Sequence, residues 1–151
     1  MKTVSIATLS EISDMQALIV KEEMPLSDAV KQFANNHDLR GIFLVDENDQ
    51  LAGVINKRDL LNWVKIQLSI PSASQSISIG ELRRLVNARQ IADLAAIGSK
   101  NAAVRLDETL ADALEKMTSY DFADIPVIDA NGHIVNDLRL SEILAYMLEN
   151  N

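Results

Sequence analysis

The chain contains no cysteine, which removes disulfides, thiolate metal ligands and cysteine nucleophiles together. It has no apolar run near the roughly 18 residues that a membrane span requires. The opening stretch MKTVSIATLSEIS also lacks the apolar segment and small-residue cleavage site of a secretory leader. A cytoplasmic protein without membrane insertion is therefore expected, and the methionine at position 1 fits a complete small protein. Basic residues are outnumbered, 14 Lys and Arg against 22 Asp and Glu, for a net charge of −8. Such a field repels phosphate backbones, so nucleic-acid binding is excluded as a function class. A small anionic ligand is compatible with it, because a distant field is screened over about 8–10 Å. The two histidines, His37 and His133, fall in a loop and beside a hairpin turn, with no metal or base partner in the pattern. Gly98–Lys100 lacks the glycine spacing of a P-loop, and neither a nucleophile elbow nor a zinc-binding histidine pair is present. No enzyme is expected.

What the chain does have is an internal repeat. LRGIFLVD (Leu39–Asp46) returns as FADIPVID (Phe122–Asp129), and QLAGVINKRDLL (Gln50–Leu61) returns as HIVNDLRLSEIL (His133–Leu144), both at a separation of 83 residues. PLSDAVKQF (Pro25–Phe33) returns as TLADALEKM (Thr109–Met117) at 84, with a one-residue slip near Asn35 and Asn36. Two copies of one supersecondary unit are implied, residues 1–78 with a connector and residues 79–151 with a leading helix. At about 70 residues each copy is marginal as an independent core, so the halves are expected to pack together.

Each copy reads as helix, strand, strand, helix after a short leading strand. Leu26, Ala29, Val30, Phe33 and Ala34 recur with helical period. GIFLV and LAGVI are strands around an acidic turn, and a helix follows from Lys57 to Leu68. In the second copy Leu110, Ala113, Leu114 and Met117 share a helix face. DIPVI and HIVNDL flank a DANG hairpin in which Asn-Gly admits positive φ, and Leu140, Ile143, Leu144, Met147 and Leu148 line the last helix. Ser69–Ser76 reads as a Ser- and Pro-rich connector. Ser78 with Glu81, and Thr8 with Glu11, have capping-box spacing. Trp63 and Tyr146 hold equivalent repeat positions and are expected to pack an interface.

The most informative local pattern is GVINKRD, Gly53 to Asp59. A strand ends at Ile55, Asn56 caps a helix and Asp59 stands at its third position. Free N–H groups and a positive helix end remain, which attract phosphate. Lys57 and Arg58 add positive charge, and Asp59 offers acceptors for a vicinal diol such as ribose. Asn with Asp three residues on is also ordinary helix-start chemistry.

Both copies resemble CBS domains, the cystathionine-β-synthase-type units that occur in pairs. The resemblance rests on an apolar strand ending in Asp (Phe43–Asp46 and Pro126–Asp129) followed by a strand-to-helix turn (Gly53–Asp59, matched by Asn136–Glu142). It implies an α+β fold of two pseudo-twofold-related βαββα units packed through their sheets. It also implies two clefts that take adenosine-containing ligands: AMP, ADP, ATP or S-adenosylmethionine. In the first cleft it places Asp59 on the ribose, Asn56 where a hydroxyl residue usually contacts phosphate, and Val54, Ile55, Ile42, Phe43, Leu18, Ile19 and Val20 around the base. In the second cleft Arg139 and Glu142 replace the usual Thr and Asp, with Ala102, Ala103, Asp124, Ile125 and Pro126 as lining. The expected function is a stand-alone regulatory module for signal transduction. It would require no cofactor, bind a nucleotide as a regulatory ligand, dimerise through the helices around Leu60–Leu68 and Leu140–Leu148, and pass its state to a target protein. The alternative is a structural association module with degenerate, empty clefts.

Overall fold

A computed structural model describes residues 2–10, 14–69 and 78–150. The connector beyond Ser69, and Glu11, lie outside these residues. After α1 (Ile6–Ser10), the first unit runs β1 (Ala17–Lys21), α2 (Leu26–Ala34), β2 (Gly41–Val45), β3 (Leu51–Ile55) and α3 (Lys57–Gln67). The second begins with α4 (Ile79–Val86) and two 3-10 turns, Ile91–Leu94 and Ser99–Asn101. It continues with β4 (Val104–Arg105), α5 (Leu110–Tyr120), β5 (Asp124–Ile128), β6 (Ile134–Arg139) and α6 (Leu140–Glu149). Each unit carries a three-stranded sheet with one parallel and one antiparallel pairing, β1-β2-β3 and β4-β5-β6. The βαββα plan expected from the repeat is thus present in both halves.

Strand β2 explains why the halves need each other. All five of its residues are buried, so both of its faces must be covered. Ile42 and Leu44, with Ile55 of β3, face Val20, Leu26 and Ala29 of their own unit and Leu85, Ile91 and Leu94 of the segment leading the second unit. Phe43 pairs in register with Val54 and joins a cluster with Ile125, Val127 and Leu138 of the second unit. Ile6 and Leu9 of α1 join the same cluster. Each leading segment therefore packs on the opposite unit: α1 on β6 and α6, and α4 with the 3-10 turns on α3 and β3. Ser99 Oγ accepts the Val54 N–H at 3.0 Å. Gly53 permits that approach, since a Cβ there would stand 3.2 Å from Leu44 Cδ1 and 3.5 Å from Ser99 Oγ. The equivalent Asn136 instead donates to the Ser10 carbonyl at 2.7 Å.

The two hairpins close alike. Asp46 Oδ1 accepts the N–H groups of Asn48 and Gln50, and Asp129 Oδ1 those of Asn131 and His133. Positive φ falls on single residues, Asp49 at 59° and Gly132 at 81°. Asn131 is therefore not left-handed. The DANG turn carries one left-handed residue beside a register shift in β5, rather than the two that a tight two-residue turn would need. Gln50 and His133, equivalent residues of the repeat, form an isolated bridge, and Leu51 N–H donates to Gly132 O at 2.9 Å. The pseudo-twofold axis thus passes through the hairpin ends.

Helix starts follow the sequence with one exception. Asn56 and Asp59 form a reciprocal capping box on α3, and Thr109 and Asp112 form one on α5. Ser78 accepts the Glu81 N–H, while the Glu81 carboxylate faces Arg84. Thr8 lies inside α1 and Ser5 accepts its N–H, so the helix begins one turn earlier than the Thr8 spacing indicates. Trp63 and Tyr146 are half-buried against their own core clusters.

The Ser99 contact gives a direct test of the exchanged packing. Ser99→Ala leaves the Val54 N–H buried without its acceptor and should cost roughly 1–3 kcal/mol, read as a lower unfolding midpoint in urea.

Candidate functional site

The strands end where the helices begin, and both units do this at one place on the axis. β2 starts at Gly41 and β3 ends at Ile55; β5 starts at Asp124 and β6 ends at Arg139. Together with the first turns of α3 and α6 these ends enclose a cavity of about 570 Å³, within the size range of small-molecule sites. Its walls come in repeat-related pairs: Arg40 and Ala123, Gly41 and Asp124, Asn56 and Arg139, Lys57 and Leu140, Arg58 and Ser141. Phe43, Ile55 and Leu61 supply apolar surface, and Asn62, Lys65 and Asp121 complete the lining.

The scaffold is symmetric and the chemistry is not. Four of the five basic wall residues, Arg40, Lys57, Arg58 and Lys65, belong to the first unit, whereas both carboxyls, Asp121 and Asp124, belong to the second. Arg58 reaches Asp121 across the units at 3.6 Å, with both side chains largely exposed, so the pair is worth little. Among the described residues no carboxylate lies within ion-pair distance of Arg40, Lys57 or Lys65. Asn56 uses its side chain on the Asp59 N–H at 2.9 Å, leaving the first N–H groups of α3 beside these cations.

Asp59 does not line this cavity. The residue is 6% exposed, and its carboxylate accepts the Asn56 N–H at 3.1 Å. Burial raises its pKa against that hydrogen bond, with Arg84 and Glu81 of α4 among the charges acting on it. Arg84 itself donates to the carbonyls of Asp93 (3.0 Å) and Ala95 (2.7 Å), fixing α4 to the turn beside it.

Of the remaining residues picked for the first cleft, Phe43, Ile55, Asn56, Lys57 and Arg58 meet at the cavity. Val20, Ile42 and Val54 are spent in the core, Leu18 packs at its edge, and Ile19 is 39% exposed. Of those picked for the second cleft, Arg139 and Asp124 reach the cavity. Glu142 sits behind Arg139, accepting its backbone N–H at 3.1 Å and its Nε–H at 2.8 Å, while Ala102, Ala103, Ile125 and Pro126 are buried.

Sequence reasoning missed Arg40, Lys65, Asn62 and Asp121. Lys57, Leu61 and Lys65 recur every fourth residue, a helical stripe that would have pointed to Lys65, and Arg40 is the neighbour of Gly41, the repeat mate of Asp124. Asp137, the mate of Val54, was missed as well; it is 1% exposed and beside Asp124. Among the described residues no cluster of three His, Cys, Asp or Glu is placed to hold a metal ion, and no helix is long and apolar enough to cross a membrane.

Solved structures of similar architecture include some with adenosine compounds bound. A CBS domain-containing protein of Thermotoga maritima superposes with a TM-score of 0.74 at 19% identity, over 99% of this chain and 97% of that one. CBSX2, solved in complex with AMP, gives 0.68 at 22% identity, over 97% of each chain. The CBS domain pair of MJ0100, solved with 5′-methylthioadenosine and S-adenosylmethionine, gives 0.67 at 15% identity, over 99% of each. At these identities the likeness concerns the fold. The CBS domain sequence profile matches residues 9–66 and 91–149, the two copies of the repeat. The chain belongs to the CBS-domain family, as a tandem pair.

Proposed function

We propose that the protein is a regulatory module that senses an adenosine-containing nucleotide in the axial cavity. The observation that carries this is the concentration of basic side chains around one cavity of a chain whose net charge is −8. Positive charge gathered against the overall field needs an anion to justify it. Arg40, Lys57, Arg58 and Lys65, with the N–H groups at the start of α3, form the phosphate end. Phe43, Ile55 and Leu61 form the apolar end for a base. That CBSX2 and MJ0100 were solved with adenosine compounds supports the reading. The same lining favours ATP, ADP and AMP over S-adenosylmethionine, whose sulfonium and ammonium groups would meet like charge. Asp59 enters as the residue that holds the turn rather than as a wall of the cavity.

The output would pass to a partner, beginning with a second copy in the cytoplasm. Leu61 and Val64 on α3 with Leu68 just beyond its end, and Leu144, Met147 and Leu148 on α6, are exposed apolar residues of two repeat-related helices. Leu61 and Val64 are the repeat mates of Leu144 and Met147. A patch with internal twofold symmetry is suited to pair with itself. Ligand at the first turns of the same helices would then alter how the seam fits. Leu61→Glu with Leu144→Glu should convert a dimer to a monomer by light scattering after gel filtration; an unchanged mass would remove this seam.

Ligand binding is read by calorimetry and by thermal shift against AMP, ADP, ATP, S-adenosylmethionine and cyclic dinucleotides. A ligand at a hundred times its Kd stabilises by about 2.7 kcal/mol, on the order of 5–10 °C for a chain of this size. Lys57→Ala or Arg58→Ala should each weaken nucleotide binding by roughly ten- to a hundredfold, since a charge-assisted hydrogen bond is worth about 1.5–3 kcal/mol. Asp59→Ala should lower stability by about 1 kcal/mol without ligand through loss of the cap. No shift with any of these compounds would overturn the sensor reading and favour a purely structural association module.

A further inference from the structure

The second unit carries a pair of carboxyls with no counterpart in the first. Asp124 and Asp137 stand where the first unit has Gly41 and Val54. They are diagonal neighbours on one face of the β5–β6 ladder, since Asp124 lies opposite Arg139 and Asp137 opposite Pro126. Asp137 is close enough to act on the ionisation of the Asp124 carboxyl. Among the described residues, no N–H or O–H from any other group reaches either Asp124 oxygen or Asp137 Oδ2, and all three atoms are shielded from solvent. Asp137 Oδ1 alone is served, by the Gln16 N–H at 3.3 Å. Gly41 of β2 leaves room beside Asp124: a Cβ there would stand 3.9 Å from Oδ2.

The charges facing the pair do not neutralise it. Arg139 lies 3.7 Å from Asp137 Oδ2, but its Nε is 2.8 Å from Glu142. One guanidinium thus lies beside two carboxyls, Asp137 and Glu142, and acts on Asp124 only at longer range. Across the cavity stand Arg40 beside Gly41 on β2 and Lys57, Arg58 and Lys65 on α3. Two carboxyls in contact and out of water do not both ionise at neutral pH; a proton between them is both the missing donor and the missing neutraliser.

We propose that Asp124 and Asp137 share one proton and act as a proton-linked specificity element of the axial cavity, so that an anionic ligand binds tightly while the proton is held and weakly once it leaves. This rests on the nucleotide reading above and extends it to regulation of the same site. Asp124 belongs to the cavity wall with its carboxyl oxygens just out of solvent contact, so its ionisation adds negative charge to the field that an anionic ligand meets there. Burial first, and then the neighbouring Asp137, push the Asp124 carboxyl up to about 9, which sets the loss of affinity in mildly alkaline solution. By reciprocity, a bound anion tightens the hold on the proton, and binding near that pH takes protons from the buffer.

The test is calorimetric titration of ATP between pH 6.5 and 9.5 into wild type, Asp124→Asn and Asp137→Asn, in buffers of different ionisation enthalpy. Wild-type affinity should fall by roughly five- to a hundredfold across the range, with proton uptake. Asp124→Asn, permanently neutral and of the same shape, should bind with a flat profile and no uptake, and should exceed wild type at pH 9.5. Binding with the same pH profile in wild type and Asp124→Asn would overturn the proposal alone. No ATP binding at pH 6.5 would overturn the nucleotide reading and the coupling with it. Thermal unfolding without ligand reads the proton itself. A carboxyl raised in the folded state contributes stability that is full below the ordinary carboxylate range and is lost as pH rises toward about 9. Wild type should therefore lose stability between pH 5 and 9 relative to Asp124→Asn, while the raised Asp59, present in both, drops out. Parallel stability curves would overturn the shared proton.

Discussion

The structure depends on the burial of both faces of a single short strand. β2 is apolar throughout, and a three-stranded sheet flanked only by its own helices covers one face of it. The other face, Phe43 with Val54, is closed by Ile125, Val127 and Leu138 of the second unit. Neither unit reaches a satisfactory core alone, and the repeat is the solution: each copy is the other's missing layer. Exchange of the leading segments, α1 onto the second unit and α4 with its turns onto the first, ties the chain into one fold rather than two domains in contact.

That constraint places the site. Sheets packed about a pseudo-twofold axis bring equivalent points of the two copies together. At one end the hairpins touch, Gln50 against His133. At the other the strand-to-helix turns of both copies border the cavity. The hairpin end is joined through the backbone by the Leu51 N–H to Gly132 O bond; the turn end is lined by side chains, whose identities are free to diverge between copies without disturbing the fold.

The scaffold was legible in the sequence because it is written in period and repetition. Helix periodicity, apolar runs and the spacing of Asn56 with Asp59 report local geometry, and local geometry was realised almost to the residue. The cavity was legible only in part. Asn56, Lys57 and Arg58 sit in a contiguous motif, but Arg40 and Asp121 reach the same space from other loops, and no single stretch of chain shows that Asp124 and Lys57 share a wall. Asp59 illustrates the converse. A motif says which residues stand near a turn, whereas the direction of a side chain depends on what packs over it. Here α4 lies against α3, and the carboxyl serves the helix cap instead of the open cavity.

Divergence between the copies changes the chemistry most at positions that line or back the cavity. Gly41, Val54 and Asn56 face Asp124, Asp137 and Arg139 across the axis, while their neighbours in the strands keep the same apolar character. A homodimer of single units would present the same group twice and bind a ligand in either of two orientations. Fusing the copies in one chain removes that degeneracy. One half of the cavity becomes cationic and the other carboxylic, so a ligand with an anionic end and a neutral end has one preferred way to lie. A pair of buried acids would be a poor choice for a half-site whose only role was structural, since apolar residues of similar volume pack there at no electrostatic cost, as Val54 does in the first unit. Their burial beside a cationic cavity makes functional sense if the charge they carry is meant to change.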